Sequence, residues 1–199
     1  MANTGTATVS ERCSTSRAAN GQNIFVAPSL VGTMTPDEQS KINQAEKLAR
    51  DYEYTIGSCP QCVLAALYET FDIGSPDIIQ ASDGLAGGTA LSTSGTCGAL
   101  IGGMLAIGAI LGRSYEGFKA GTGERRVFVH SQRLYQRFIK KYGSPVCCKV
   151  QQKVFGRSYE LLDAKEAIAF SEDATPETCP QVAADVAQWT AEIISRLKI

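Results

Sequence analysis

At 199 residues, with 19 basic against 20 acidic side chains and a net charge of −1, the chain can bury a substantial core in one domain plus an extension. Its only paired basic runs of note, Arg125-Arg126 and Lys140-Lys141, read as solvated faces, so nucleic acid is not an expected partner. The opening Met1-Ala2-Asn3-Thr4-Gly5 has neither the basic start nor the apolar core of a secretory signal, and a cytoplasmic protein is expected.

Residues 1–33 are rich in Ser, Thr, Ala, Asn and Gly and read as an extended N-terminal arm in which Cys13 is incidental. A helical domain over 34–199 follows. Thr35-Pro36-Asp37-Glu38 is a helix start, with a capping Thr, Pro at the first position and Glu three residues after the Thr. Apolar spacing at Ile42, Ala45, Leu48, Ala49 and Tyr52 carries that helix to about Thr55. Gly57-Ser58 breaks it, and a second helix bears Val63, Leu64, Leu67 and Phe71. Ser75-Pro76-Asp77 opens a short helix, which gives way to a Gly-rich turn over Gly84–Gly88. That turn follows no strand and lacks the Lys-Ser/Thr of a phosphate loop.

The run GALIGGMLAIGAILG, from Gly98 to Gly112, is too short to span a bilayer and reads as a core helix. Its pairs Gly98/Gly102 and Gly108/Gly112 are four apart, a spacing that clears a groove for close packing. Further helices are expected over about 124–142, 146–156, 159–170 and 179–197, the last with a stripe of Val182, Val186, Trp189, Ile193 and Leu197. Strand-like alternation is nearly absent. The expected fold is all-α, a compact multi-helix bundle with an extended N-terminal arm, and the arm and apolar helix suit a homodimer.

Seven cysteines, an odd number, argue against a fully paired disulfide framework and for metal-binding or catalytic thiols. Cys59, Cys97, Cys147 and Cys179 each stand where a turn leads into an apolar run. A helix N-terminus presents free N–H groups and partial positive charge, which favour thiolate over thiol. If folding gathers these four ends, the protein is a redox or metal-thiolate protein.

The ordered pattern Cys59, Cys97-Gly98-Ala99-Leu100-Ile101-Gly102, Cys147, Cys179-Pro180 resembles the C_GCAxxG_C_C family, to which a redox role is ascribed largely because of its four cysteines. Cys59-Pro60-Gln61-Cys62-Val63-Leu64, Gly87-Gly88, Leu111-Gly112-Arg113 and Tyr142-Gly143-Ser144 match family landmarks in order, over about 35–197. The resemblance implies Cys59, Cys97, Cys147 and Cys179 as the cysteines that bind, with Gly98 and Gly102 giving backbone room. Cys62 and Cys148 are additional to the pattern and stand as alternates. A related domain occurs in split-Soret cytochromes c, but here Cys59-x-x-Cys62 is followed by Val63 and His130 is the only histidine. Covalent haem is therefore not expected.

Three chemistries suit these residues. The first is an iron–sulfur cluster held by the four thiolates for electron transfer with a redox partner protein. Intervals of 38, 50 and 32 residues between successive members match no local ferredoxin run, so assembly would depend on the whole fold. The second is thiol–disulfide chemistry by Cys59, Cys62 and Cys97, an oxidoreductase role, although no βαβ context surrounds the CxxC. Cys147-Cys148 could also close a vicinal disulfide, with strain. The third is a structural zinc site in a scaffold module. His130 sits on an amphipathic helix with no Asp placed beside it and reads as a surface residue.

Overall fold

The computed structural model describes residues 34–123 and 125–197. The expected arm over 1–33, with Cys13, lies outside the described residues. Nine helices form among those described, and no strand. They are α1 (Pro36–Thr55), α2 (Cys59–Phe71), α3 (Pro76–Ala81), α4 (Gly98–Leu111), α5 (Tyr115–Lys119), α6 (Arg126–Tyr142), α7 (Cys147–Phe155), α8 (Ala164–Glu172) and α9 (Cys179–Ser195).

The start of α1 follows its sequence signal in full. Thr35 caps the helix, its Oγ1 accepting from the Glu38 amide at 3.2 Å, and the Glu38 carboxylate accepts from the Thr35 amide at 2.7 Å. Two expectations shift. The helix expected over 159–170 starts at Ala164, because Asp163 accepts from the amides of Lys165 and Glu166 and caps it there. The short α5, absent from the sequence reading, is set by Ser114, whose Oγ accepts from the Gly117 amide at 3.1 Å.

The apolar α4 is the centre of the bundle. It packs on α2, α6 and α9, while α9 also covers α1 and α2. Leu64, Leu67, Leu100, Ile107, Leu134, Phe138, Val182 and Val186 are buried in the common core. Burying each such side chain contributes roughly 1.5–3 kcal/mol. The one buried acid of α9, Asp185, is satisfied from two helices. Tyr142 Oη donates to it, Lys141 pairs with it, and Gln181 Nε2 donates at 2.8 Å. Trp189 lies over this contact, 6.4 Å from the Tyr142 ring.

Glycine explains how α4 can be so enclosed. A Cβ built on Gly102 would lie 2.7 Å from the Pro60 carbonyl oxygen of α2, and one on Gly103 would meet Thr190, Leu134 and Val186 within 2.8 Å. The second pair behaves otherwise. Gly108 has nothing within 4 Å, and Gly112 caps the helix. The expected groove is therefore real at Gly98/Gly102 and absent at Gly108/Gly112.

Opposite outcomes follow for two single substitutions. Gly102→Ala should destabilise by about 1–3 kcal/mol, because the obstructing atom is backbone and cannot turn aside. Gly108→Ala should stabilise by up to about 1 kcal/mol, since only the helix propensity changes. Urea midpoints of the two variants against wild type check both signs.

Candidate functional site: a cavity walled by four cysteines

Two loops and four helix starts build the site. Ser58, in the left-handed region at φ 65°, turns the chain sharply before Cys59 opens α2, and its hydroxyl donates to Asp83 at 2.8 Å. Cys97 is itself the N-terminal cap residue of α4, while Cys147 and Cys179 are the first residues of α7 and α9. The segments before α4 and α7 pair through an antiparallel bridge between Thr96 and Val146. The Cys97 amide donates to the Pro145 carbonyl at 2.7 Å, and the Cys147 amide to the Gly95 carbonyl at 2.9 Å. This clasp sets Cys97 and Cys147 side by side although 50 residues separate them.

Beneath the clasp the chain makes a left-handed turn. Gly87, Gly88, Thr89, Ala90 and Leu91 all have φ between 50° and 73°. For the three that are not glycine this conformation costs roughly 1–2 kcal/mol each, and strain of this kind collects at functional sites. The turn brings backbone, with no side chain, against the cysteines. A Cβ on Gly88 would sit 2.6 Å from Cys147 Cβ, and one on Gly98 would sit 2.6 Å from Cys59 Sγ.

Cys59, Cys97, Cys147 and Cys179 line a single cavity of about 360 Å³, together with Glu53, Gly87, Ala99, Val150, Gln151, Leu161, Phe170 and Val182. The cavity reaches the surface beside Tyr54, Ile56 and Leu91, all exposed. Among the described residues no three His, Cys, Asp or Glu side chains stand close enough to hold one metal ion between them.

All four thiols are held protonated, contrary to the expectation from their helix starts. Burial pushes Cys97 up to about 12, with the neighbouring Cys147 adding to the shift and the amides of Leu100 and Ala99 opposing it. Burial likewise lifts Cys59 well above its ordinary value, with Glu53 and Cys97 contributing and the amides of Gly87 and Ala99 opposing. Cys147 and Cys179 rise for the same first reason, burial; the charges of Cys59 and then Glu53 add to it for Cys147, and those of Glu53, Cys97, Cys59 and Cys147 for Cys179. A helix end offers roughly 0.3–1 kcal/mol to a charge, whereas burial shifts a group by up to about 3–5 units. Burial wins.

The two supernumerary cysteines do not line the cavity. Cys62 is buried and its thiol donates to the Gly57 carbonyl at 2.9 Å. Burial, followed by the Glu53 charge, pushes it up rather than down. Cys147 is a free thiol, so the vicinal disulfide with Cys148 is not formed. Cys148 is buried in a separate apolar contact with Val146. His130 lies on α6 with its ring 3.5 Å from Arg133 and is not part of the cavity wall.

Glu53 is the lining residue that sequence reasoning missed. Glu53 is partly exposed, but its Oε2 is buried and has no hydrogen-bond partner among the described residues. Burial lifts its carboxyl to about 7, and the nearby Cys62 thiol opposes the shift. The signal available in sequence was a lone acid in the last turn of α1, where the helix field favours cations.

Fold and site together define a helical protein in which four helix starts bring their cysteines to one cavity. The family described as "Putative redox-active protein (C_GCAxxG_C_C)" matches residues 57–193. The chain belongs to that family. Comparison with curated proteins and with solved structures gave no match. No helix among the described residues is long and apolar enough to cross a membrane.

Proposed function

We propose that the protein is an electron carrier whose cavity binds a polynuclear iron–sulfur centre through the thiolates of Cys59, Cys97, Cys147 and Cys179. The observation that supports this reading is that four thiols, brought in by four separate helix starts, line one cavity. Four thiolates are the usual complement for such a centre, which when bound would supply one-electron chemistry. A four-cysteine zinc site needs its sulfurs about 2.3 Å from one ion, and among the described residues no three such side chains are placed to hold one.

The chain's own residues have three tasks in this reading. The thiols bind once their protons leave, so loading releases protons and weakens at low pH. The amides of Gly87, Ala99 and Leu100, which already oppose the upward shift of Cys59 and Cys97, favour the charged sulfur. Val150, Leu161, Phe170 and Val182 exclude water from the wall. A redox partner protein would take and return the electron.

Dithiol exchange remains a second reading because of one contact: Cys59 Sγ lies against Gly98, next in the chain to Cys97. Under that reading Cys59 and Cys97, rather than Cys59 and Cys62, would form the pair. Anaerobic reconstitution of the full chain with ferrous iron and sulfide separates the two. The cluster reading expects brown protein with iron and acid-labile sulfide. Cys59→Ser, Cys97→Ser, Cys147→Ser or Cys179→Ser should each lose most of that iron, and Cys62→Ser should keep it. Colourless wild-type protein with two fast-reacting thiols would support exchange chemistry instead.

A further inference from the structure

The end of the bundle away from the cysteines carries a second surface of its own. Of the large apolar side chains exposed among the described residues, Tyr115, Phe118, Phe128 and Val129 fall in one stretch of chain. The three aromatic members project furthest, at 69%, 63% and 68% exposed. They come from α5 and the first turn of α6, and with Arg113 and Arg125 they line one open groove. Exposed apolar groups gathered in this way mark an interaction surface.

The charges around the rings are of one sign. The Arg113 guanidinium lies 5.4 Å from the centre of the Phe118 ring, and the Lys119 ammonium 5.8 Å from that of Tyr115. No carboxylate among the described residues lines the groove. Glu116 is engaged at the start of α5, where its own amide and the Ser114 hydroxyl bond to its carboxylate. Residues 113–129 hold four basic side chains against two acidic ones, a net of +2 that leaves −3 for the rest of a chain of net −1. A second copy of so basic a face would be repelled, and an anionic partner is drawn to it.

We propose that this end of the bundle docks on an anionic lipid surface, with Tyr115, Phe118 and Phe128 entering the headgroup region and Arg113, Lys119 and Arg125 meeting the phosphates. Aromatic tips beside Lys and Arg are the side chains that settle at a membrane interface. The placement suits a tether better than a redox partner. Cys97 caps α4 at the cavity, and the patch begins just past the far end of that 14-residue helix, about 21 Å away. The net negative remainder of the chain is turned from an anionic membrane, so the cavity end faces the solution. This inference is independent of what the cavity binds.

The test is co-sedimentation of the full chain with phosphatidylcholine vesicles, with and without phosphatidylglycerol, at low and high salt. The chain should bind the anionic vesicles, leave the neutral ones, and be released as salt screens the contact. Phe118→Ser and Phe128→Ser should each weaken binding about tenfold, and Arg113→Gln and Arg125→Gln about fivefold each. These side chains are exposed, so urea midpoints should stay at the wild-type value. The arm over 1–33 is present in every variant, so a loss assigns the contact to this face. No binding to anionic vesicles, equal binding to neutral ones, or full binding by the Phe118→Ser/Phe128→Ser double variant would overturn the proposal. Retention on an immobilised polyglutamate peptide without vesicle binding would overturn it too, and give the face to an acidic protein.

Discussion

Between pH 4.5 and about 7 the metal-free protein should lose about 3 kcal/mol of folding stability, because burial lifts the Glu53 carboxyl from 4.5 to about 7. The sign follows from proton binding. In that window the native protein keeps a proton that the unfolded chain releases, so each rise in pH favours unfolding. The contribution is whole below pH 4.5, falls across the window, and is flat above about 7. Cys97 adds a second step of the same sign, from its ordinary 9.0 to about 12. Denaturant midpoints of metal-free wild type and Glu53→Gln on either side of the lower window isolate the carboxyl. The variant should be insensitive there and the more stable of the two at the upper end. Parallel pH profiles for the two proteins would show that the carboxyl is not buried without compensation.

The second large effect belongs to the left-handed turn. Gly88→Ala should cost about 2–5 kcal/mol and displace Cys147. Gly88 has φ +73°, where an L side chain is strained by roughly 1–2 kcal/mol. The added Cβ would also lie 2.6 Å from Cys147 Cβ and 2.9 Å from Thr93 Cα, neither of which is the free end of a side chain. Overpacking of this kind costs roughly 1–3 kcal/mol more. The decisive measurement is paired: a lowered urea midpoint in the metal-free chain, and reduced iron retention when loaded. A variant as stable as wild type would mean that the turn is not held in the described conformation.

Much of this fold was legible because its signals are local. Thr35 to Glu38 wrote one helix start in four letters, and the apolar run at 98–111 could only be a core helix in a chain of this size. Each of the four cysteines duly stands at a helix N-terminus. What escaped was anything decided by another part of the chain. Nothing near Gly108 says that its face is open while that of Gly102 meets the Pro60 carbonyl. The protonation of the thiols ran opposite to their local context, since a helix end is a property of the segment and burial is a property of the whole molecule. Cys62 looked like the partner of Cys59 by spacing, yet its thiol turns to the Gly57 carbonyl. Glu53 belongs to no motif in the sequence. Its meaning depends on walls supplied by residues up to Val182.

The packing of α9 also sets an order of events during synthesis. This helix covers α1, α2, α4 and α6 and brings in Cys179, so three sulfurs are translated well before the fourth. An emerging polypeptide with Cys59, Cys97 and Cys147 in hand has neither a closed wall nor a lid on its greasy centre. On the cluster reading proposed above, loading would wait until the closing helix has docked, and a nascent chain stalled short of it would offer bare thiols to oxidants with nothing to shelter them.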